Sequence, residues 1–195
     1  MKVAITGGIG SGKSYVCSVL RQRGVEVYDC DNAAKRIMRT SVSVRRSLEK
    51  LIGISAYEDG KPNKAAIASY ILASEDNAKK VNAVVHPAVA ADFLESGICF
   101  MECAILFSSG FNKLVDKVVC VTAPLDVRLD RIMKRDSISR QKAQEWIDCQ
   151  MPQEVVAAMS DHVVVNDGNT PVSLLVDRML EDLEKENSIN NIIKE

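Results

Sequence analysis

The chain has 195 residues, enough for about one domain with a buried core and a small insertion. Apolar residues make up 47% and charged residues 26%, the balance of a soluble globular protein and not of a disordered or membrane-spanning one. The formal net charge is −1, so no global field favours nucleic acid or a membrane surface, and any charge that grips phosphate must be local.

Val3-Ala4-Ile5 is a short apolar run suited to a buried strand. Gly7-Gly8-Ile9-Gly10-Ser11-Gly12-Lys13-Ser14 follows and fits G-x-x-x-x-G-K-[ST], the phosphate-cradling P-loop. Glycines let the backbone turn through positive φ and bring its N–H groups against an anion. The helix that follows adds unpaired N–H donors and a favourable dipole. Val16, Val19 and Leu20 recur at helical spacing, and Gly24 is a stop. Strand, glycine loop and helix are the context the motif needs. The expected nucleotide cradle is Gly8, Gly10, Ser11, Gly12, Lys13, Ser14 and Tyr15, with Lys13 on the terminal phosphates and the Ser14 hydroxyl on Mg²⁺. A glycine-rich turn without a ligand is the alternative.

The second strand, Val25–Tyr28, ends at Asp29-Cys30-Asp31. Strand carboxyl ends collect ligand groups in open α/β sheets, so both acids are expected on the P-loop rim. On an extended segment their spacing points them the same way. One accepts a proton from a substrate hydroxyl while the other places Mg²⁺ or caps a helix; capping alone is the bland alternative. Helix is expected from Ala33 to Met38. Residues 41–96 then read as helical, over Val44–Ile52, Lys64–Leu72 and Asn77 to Leu94, the last broken at His86-Pro87. Gly60-Lys61-Pro62 marks a turn. Such a stretch is too long for a plain crossover and is expected to be a helical insertion that holds an acceptor. His86 either bonds locally at the helix break or lines that acceptor pocket.

The third strand, Ile98–Glu102, is expected to continue through Ala104–Phe107, with Glu102 on a metal-bound water or, alternatively, facing solvent. Val118–Thr122 is a fourth buried strand. The helix after Pro124 has a polar side of Arg128, Arg131, Lys134 and Arg135, and another helix opens at Ser139 and runs to about Gln150. Arg131, Arg135 and Arg140 are expected to form a compact basic cluster that closes over a triphosphate, against a solvated basic face as the alternative. Trp146 and Ile147 are expected to pack on a neighbouring helix. His162–Asn166 is the fifth strand, after which Asn166 or Gly168 contacts a base or simply forms a turn. The last helix starts at Pro171 with a core stripe from Val172 to Leu183, and the polar tail after Asn187 is expected to fray. Six cysteines without a C-x-x-C read as reduced thiols, Cys99 and Cys103 as core. With no leader-like or membrane-length apolar run, a cytoplasmic chain is expected. Strands alternating with helices give an α/β fold: a parallel five-stranded sheet with helices on both faces.

Several segments together resemble the dephospho-CoA kinase family: Thr6 to Ser14, Asp29-Cys30-Asp31, Asn82 to Pro87, Ile105-Leu106-Phe107, Arg131 to Asp136, and Asp161 to Asn166 with Gly168. The resemblance covers nearly the whole chain in order. It implies transfer of the ATP γ-phosphoryl group to the ribose 3′-hydroxyl of dephospho-CoA with Mg²⁺. It further implies Asp31 as general base, Lys13 and Arg140 on the phosphates, Ser14 on the metal, and Asp29, Asp31 and His86 around the acceptor. It divides the chain into a nucleotide core (1–35, 97–135 and 159–195), a helical substrate domain (36–96) and a lid (136–158). No nucleic acid or membrane partner is implied, and a monomer or weak homo-oligomer is expected. Two departures stand out: Tyr15 replaces the family's usual Thr, and Ser108 replaces the acid of its P-L-L-F-E segment. The rival functions are a P-loop kinase for a nucleoside, nucleotide or other small metabolite, a nucleotide-gated switch or assembly ATPase, and a catalytically dead binding module.

Overall fold

The computed structural model describes residues 1–192, with side chains through residue 188. The chain folds as two compact units, Met1–Tyr28 with Ile98–Glu195, and Asp29–Gly97.

The first unit is built on a five-stranded parallel sheet. Its strands are β1 (Val3–Thr6), β2 (Val27–Asp29), β5 (Phe100–Glu102), β6 (Lys117–Thr122) and β7 (His162–Val165), in the order β2-β5-β1-β6-β7. Every residue of the central strand β1 is buried, as expected of a strand covered on both faces. The period-two alternation of side chains sorts the strands' residues between those faces. Val3, Ile5, Val119, Val121 and Val164 join one core with Val16, Cys17 and Leu20 of α1 (Lys13–Gln22) and with Val176, Met179 and Leu183 of α9 (Val172–Ile192). Glu102 pairs in register with Ile5 and so points to the α1 side of the sheet.

Two expectations for this unit fail. The third strand stops at Glu102, and residues 104–110 turn back on themselves through bonds from Ser109 N–H to Ile105 O and Phe111 N–H to Leu106 O. Cys99 is exposed, because it precedes the point where the chain enters the sheet. The region after β6 contains α6 (Leu125–Asp136), α7 (Arg140–Asp148), capped by Ser139 as expected, and a further short helix α8 (Gln153–Ala158). Trp146 and Ile147 pack with Leu129, Ile132 and Ala143. The last helix is assigned to Ile192; the fraying expected after Asn187 reaches into residues 193–195, which lie outside the described residues.

The second unit is helical. α2 (Cys30–Thr40), α3 (Val42–Ile52) and α4 (Lys64–Ala73) pack with the 22-residue α5 (Glu75–Ser96). A small hairpin, β3 (Tyr57–Glu58) and β4 (Lys61–Pro62), was not visible as strands in the sequence. Asp29, Ser41, Asn63 and Ser74 cap the four helices with side-chain oxygens, each accepting one of the N–H groups that a helix start leaves unpaired. The break expected at His86-Pro87 is absent: α5 runs through Pro87. Val81, Val85, Val89 and Phe93, four apart and buried, anchor the helix on both sides of the proline. Among the described residues no helix is long and apolar enough to cross a membrane.

Candidate active site

The loop between β1 and α1 has the shape its sequence requires. Gly10 has φ 80° and Gly12 has φ 89°, a region that only glycine occupies without strain. At Gly10 a Cβ would also lie 2.7 Å from the Arg128 carbonyl oxygen. Gly12 is the N-cap of α1, so the unpaired N–H groups of the first helical turn face the loop's ligand side. The Ser11 hydroxyl is buried with no partner among the described residues.

Glu102 is the hub of this loop. Its Oε1 accepts 2.7 Å bonds from Lys13 Nζ and from Ser14 Oγ, and Arg21 lies 3.8 Å from Oε2. Burial pushes the Glu102 carboxyl up, but the charge of Lys13 and bonds from Lys13, Ser14 and Cys17 outweigh it and hold the group below its ordinary range. Burial, with Glu102 beside it, drives the Cys17 thiol far up, so Cys17 is an inert member of the core. Glu102 is 7% exposed, so its solvent-facing alternative does not hold.

The arginines divide differently from the expected cluster. Arg131 turns onto the P-loop, where Nη1 donates to Gly10 O (3.3 Å) and Ser11 O (3.1 Å) and Nη2 to Asn166 Oδ1 (3.3 Å). Arg128, assigned to a polar helix side from the sequence, is 5% exposed and donates through Nε to Ile9 O at 2.9 Å. These contacts from α6 engage the carbonyls of three consecutive loop residues. Arg135 pairs with its neighbour Asp136, and Arg140 with Asp126. The Arg140–Asp126 pair is exposed and Arg135 is exposed beside a half-buried Asp136, so neither pair contributes much to stability. Asn166 is buried and spends its amide on Ser11 O, at 2.9 Å, and on Arg131. Its side chain thus braces the loop. It also lines a cavity of about 480 Å³ with Gly12, Tyr15, Arg131, Gly168 and Pro171.

Gln150 was also missed. Its Oε1 accepts the Ile9 N–H at 2.7 Å, which ties the segment after α7 to the loop. Nothing in the local sequence marks it, since the contact joins residues 141 positions apart. Ser108, where an acid was expected, donates to Ile105 O at 3.2 Å. It borders a cavity of about 280 Å³ with Thr6, Leu106, Phe107, Gln150 and Met151.

In the helical unit, Asp29 is the N-cap of α2, with Oδ1 accepting the Asn32 N–H at 2.9 Å. The capping alternative thus describes Asp29. Asp31 lies one residue into α2 and is exposed, so the two acids do not share an extended segment. His86 is inside α5 and half-buried, and burial lowers its pKa. The local bias before proline is overridden there by the packing of the helix.

A sheet with β1 at its centre, a glycine loop gripping toward an anion and a lysine-serine pair on a strand-end acid define the P-loop kinase class. Shikimate kinase from Acinetobacter baumannii has the same fold, at a TM-score of 0.56 and 15% identity over 95% of this chain and 93% of that one. Within the class, the match narrows. The family model CoaE, dephospho-CoA kinase, matches residues 1–171. Dephospho-CoA kinases from Porphyromonas gingivalis and Bacteroides fragilis are 41% and 38% identical, each over 93% of this chain and 92% and 90% of their own. The crystal structure of TT1252 from Thermus thermophilus is similar with a TM-score of 0.80 and 30% identity, over 95% of this chain and 97% of that one. The chain belongs to the dephospho-CoA kinase family.

Proposed function

We propose that the protein transfers the γ-phosphoryl group of ATP to the ribose 3′-hydroxyl of dephospho-CoA, giving coenzyme A. The observation that carries this reading is the Lys13–Ser14–Glu102 constellation on a glycine loop in a chain of this family. Phosphoryl transfer asks a protein for alignment and charge neutralisation more than for covalent chemistry. Gly8, Gly10, Gly12 and Ser14 present backbone N–H groups to the phosphates, Ser11 its hydroxyl, and Lys13 follows the γ-phosphoryl charge. The buried, unpartnered Ser11 hydroxyl and the positive-φ cradle fit such a ligand. Tyr15 and the cavity beside Asn166 take the nucleoside end.

Residues 136–158 act as the lid, from which Arg140, with Arg135 at its edge, gives up an exposed carboxylate to neutralise phosphate oxygens. Residues 36–96 act as the acceptor domain, with Asp29 fixing the start of α2 and His86 near the acceptor. Asp31, exposed in the first turn of α2, accepts the proton of the attacking hydroxyl. The Ser14 hydroxyl and Glu102 carboxylate are adjacent hard oxygen donors, a set that fits Mg²⁺ shared with substrate phosphates. When bound there, Mg²⁺ supplies charge neutralisation of the phosphate oxygens.

The test is a product assay with ATP, Mg²⁺ and dephospho-CoA, read by mass spectrometry, with adenosine as a competing acceptor. Dephospho-CoA gains one phosphoryl group; its recovery unchanged overturns the proposal, and preferred phosphorylation of adenosine makes the protein a nucleoside kinase. Asp31→Asn lowers turnover by roughly 10²-fold or more while the KM for ATP stays put. Near-normal turnover removes Asp31 from the role of base.

A further inference from the structure

Ile9, the third residue of the glycine loop, is gripped at three points by the segment between β6 and α8. Its side chain packs on the cluster of Leu129 and Ile132 from α6 and Ala143 from α7. Its carbonyl accepts from Arg128 Nε at 2.9 Å. Its N–H donates to Gln150 Oε1 at 2.7 Å. Gly8 makes room for the two polar contacts. A Cβ there would lie 2.6 Å from Arg128 Nη2 and 3.3 Å from Gln150 Oε1. Unlike Gly10 and Gly12, Gly8 has no positive φ, so at this position the missing side chain serves the approach of Arg128 and Gln150 and not a turn of the backbone.

The bonds at Ile9 set two successive peptide planes. Its N–H belongs to the Gly8–Ile9 peptide and its carbonyl to the Ile9–Gly10 peptide, and only φ and ψ of Ile9 lie between them. The Gly10 N–H rides on the second plane, so its direction is set as well. Further along, the Ser11 N–H is spent on the Gly8 carbonyl at 3.2 Å, and Arg131 takes the Gly10 and Ser11 carbonyls. Among the described residues, Gln150 is the one side chain that accepts from an N–H of this loop; the arginines and Asn166 donate to its carbonyls. Gln150 stands at the foot of α7, where its own N–H donates to Ile147 O at 3.0 Å. Arg140 is the first residue of the same helix. One end of α7 therefore carries the cation assigned above to phosphate, and the other end is fastened to the loop.

We propose that Gln150 is a positioning residue for the nucleotide: by accepting from the Ile9 N–H it holds the loop's peptide planes in their anion-binding arrangement, and it couples the loop to α7. The inference rests on the nucleotide reading of the loop and adds a residue that touches no reacting atom. A loop already in its bound shape loses less freedom when the phosphates arrive. Because such coupling is reciprocal, phosphate on the loop also steadies the C-terminal end of α7.

The experiment uses the full chain and three variants. Gln150→Met keeps the length of this half-buried side chain and removes the amide, Gln150→Asn keeps the amide one carbon short, and Gln150→Glu keeps an acceptor at the same reach. Amide exchange followed by NMR without nucleotide reads the bond itself. The Ile9 amide is protected in the wild type, exchanges about tenfold faster in the Met and Asn variants, and is protected again in Gln150→Glu, while the amides of β1 keep their rates. Calorimetry with a non-hydrolysable ATP analogue shows Kd raised about fivefold to tenfold in the Met and Asn variants, the scale of one lost hydrogen bond. In the kinase assay the KM for ATP rises by the same factor and the KM for dephospho-CoA does not move. The bound analogue slows amides of residues 143–150 in the wild type and not in Gln150→Met. Unchanged Ile9 exchange, an unchanged Kd for the analogue, or an equal rise in both KM values overturns the assignment. Failure of the wild type to phosphorylate dephospho-CoA strikes the acceptor instead, and exchange and calorimetry still decide the role of Gln150.

Discussion

Glu102 holds Lys13 and Ser14 through a single carboxylate oxygen before any phosphate arrives. A half-buried lysine would be costly without a counter-charge, and the Glu102 carboxylate supplies one at 2.7 Å. Under the proposed function, Lys13 would exchange one anionic oxygen for another as a phosphate enters the loop, with little electrostatic reorganisation. His86 offers a residue-scale test of burial in the helical unit. Its pKa is lowered by desolvation, so the folded chain binds the proton less readily than the unfolded chain. Stability is therefore lost as pH falls below the unfolded value of about 6.5 and is retained above it. In urea unfolding between about pH 7 and pH 5, His86→Gln should show a shallower loss of stability than the wild type. Equal slopes would show that His86 does not contribute to the acid sensitivity.

Helix α5 shows how an element can override its own sequence. Pro87 removes one backbone donor and crowds the carbonyl four residues earlier, a cost of about 3 kcal/mol in an unsupported helix. Four buried side chains at four-residue intervals, two on either side, hold the helix against that cost. Pro87→Ala is expected to stabilise the protein by about 1–3 kcal/mol, less the entropy regained by the unfolded chain. Thermal and urea unfolding would check this, and a lower melting temperature would refute it. Helix α6 performs a different task at the same scale. Its arginines, three residues apart on one face, clamp consecutive carbonyls of the P-loop, so the loop's shape depends on an element more than 100 residues downstream.

At the scale of the whole molecule, the P-loop and the helices α2 to α5 belong to two separate packing units. Each has its own buried core, so ligands should stabilise them selectively. Hydrogen exchange should show ATP slowing amides of residues 7–20, and dephospho-CoA slowing those of α2. ATP protection confined to the helical unit would contradict the assignment of the P-loop. Acceptor protection absent from α2 would contradict that of the helical unit.

Local chemistry made part of this legible in advance. The glycine loop announces itself because only glycine tolerates its backbone, and the buried strands because a sheet covered on both faces favours runs of apolar residues. Helix caps at Asp29 and Ser139 are equally local, one side chain serving an N–H three residues on. The partners of Arg128, Arg131, Asn166 and Gln150 were not legible, because each contact closes over 35 to 155 positions of chain. A run of arginines looks the same in sequence whether it faces water or a loop's carbonyls. Likewise, the period of a strand does not say where it stops, which is why residues 104–107 read as sheet but turn. Sequence fixed which groups can bend, bond or bury, since those are properties of single residues and their neighbours; tertiary structure alone chose which distant groups meet, since that depends on how the packed elements share space.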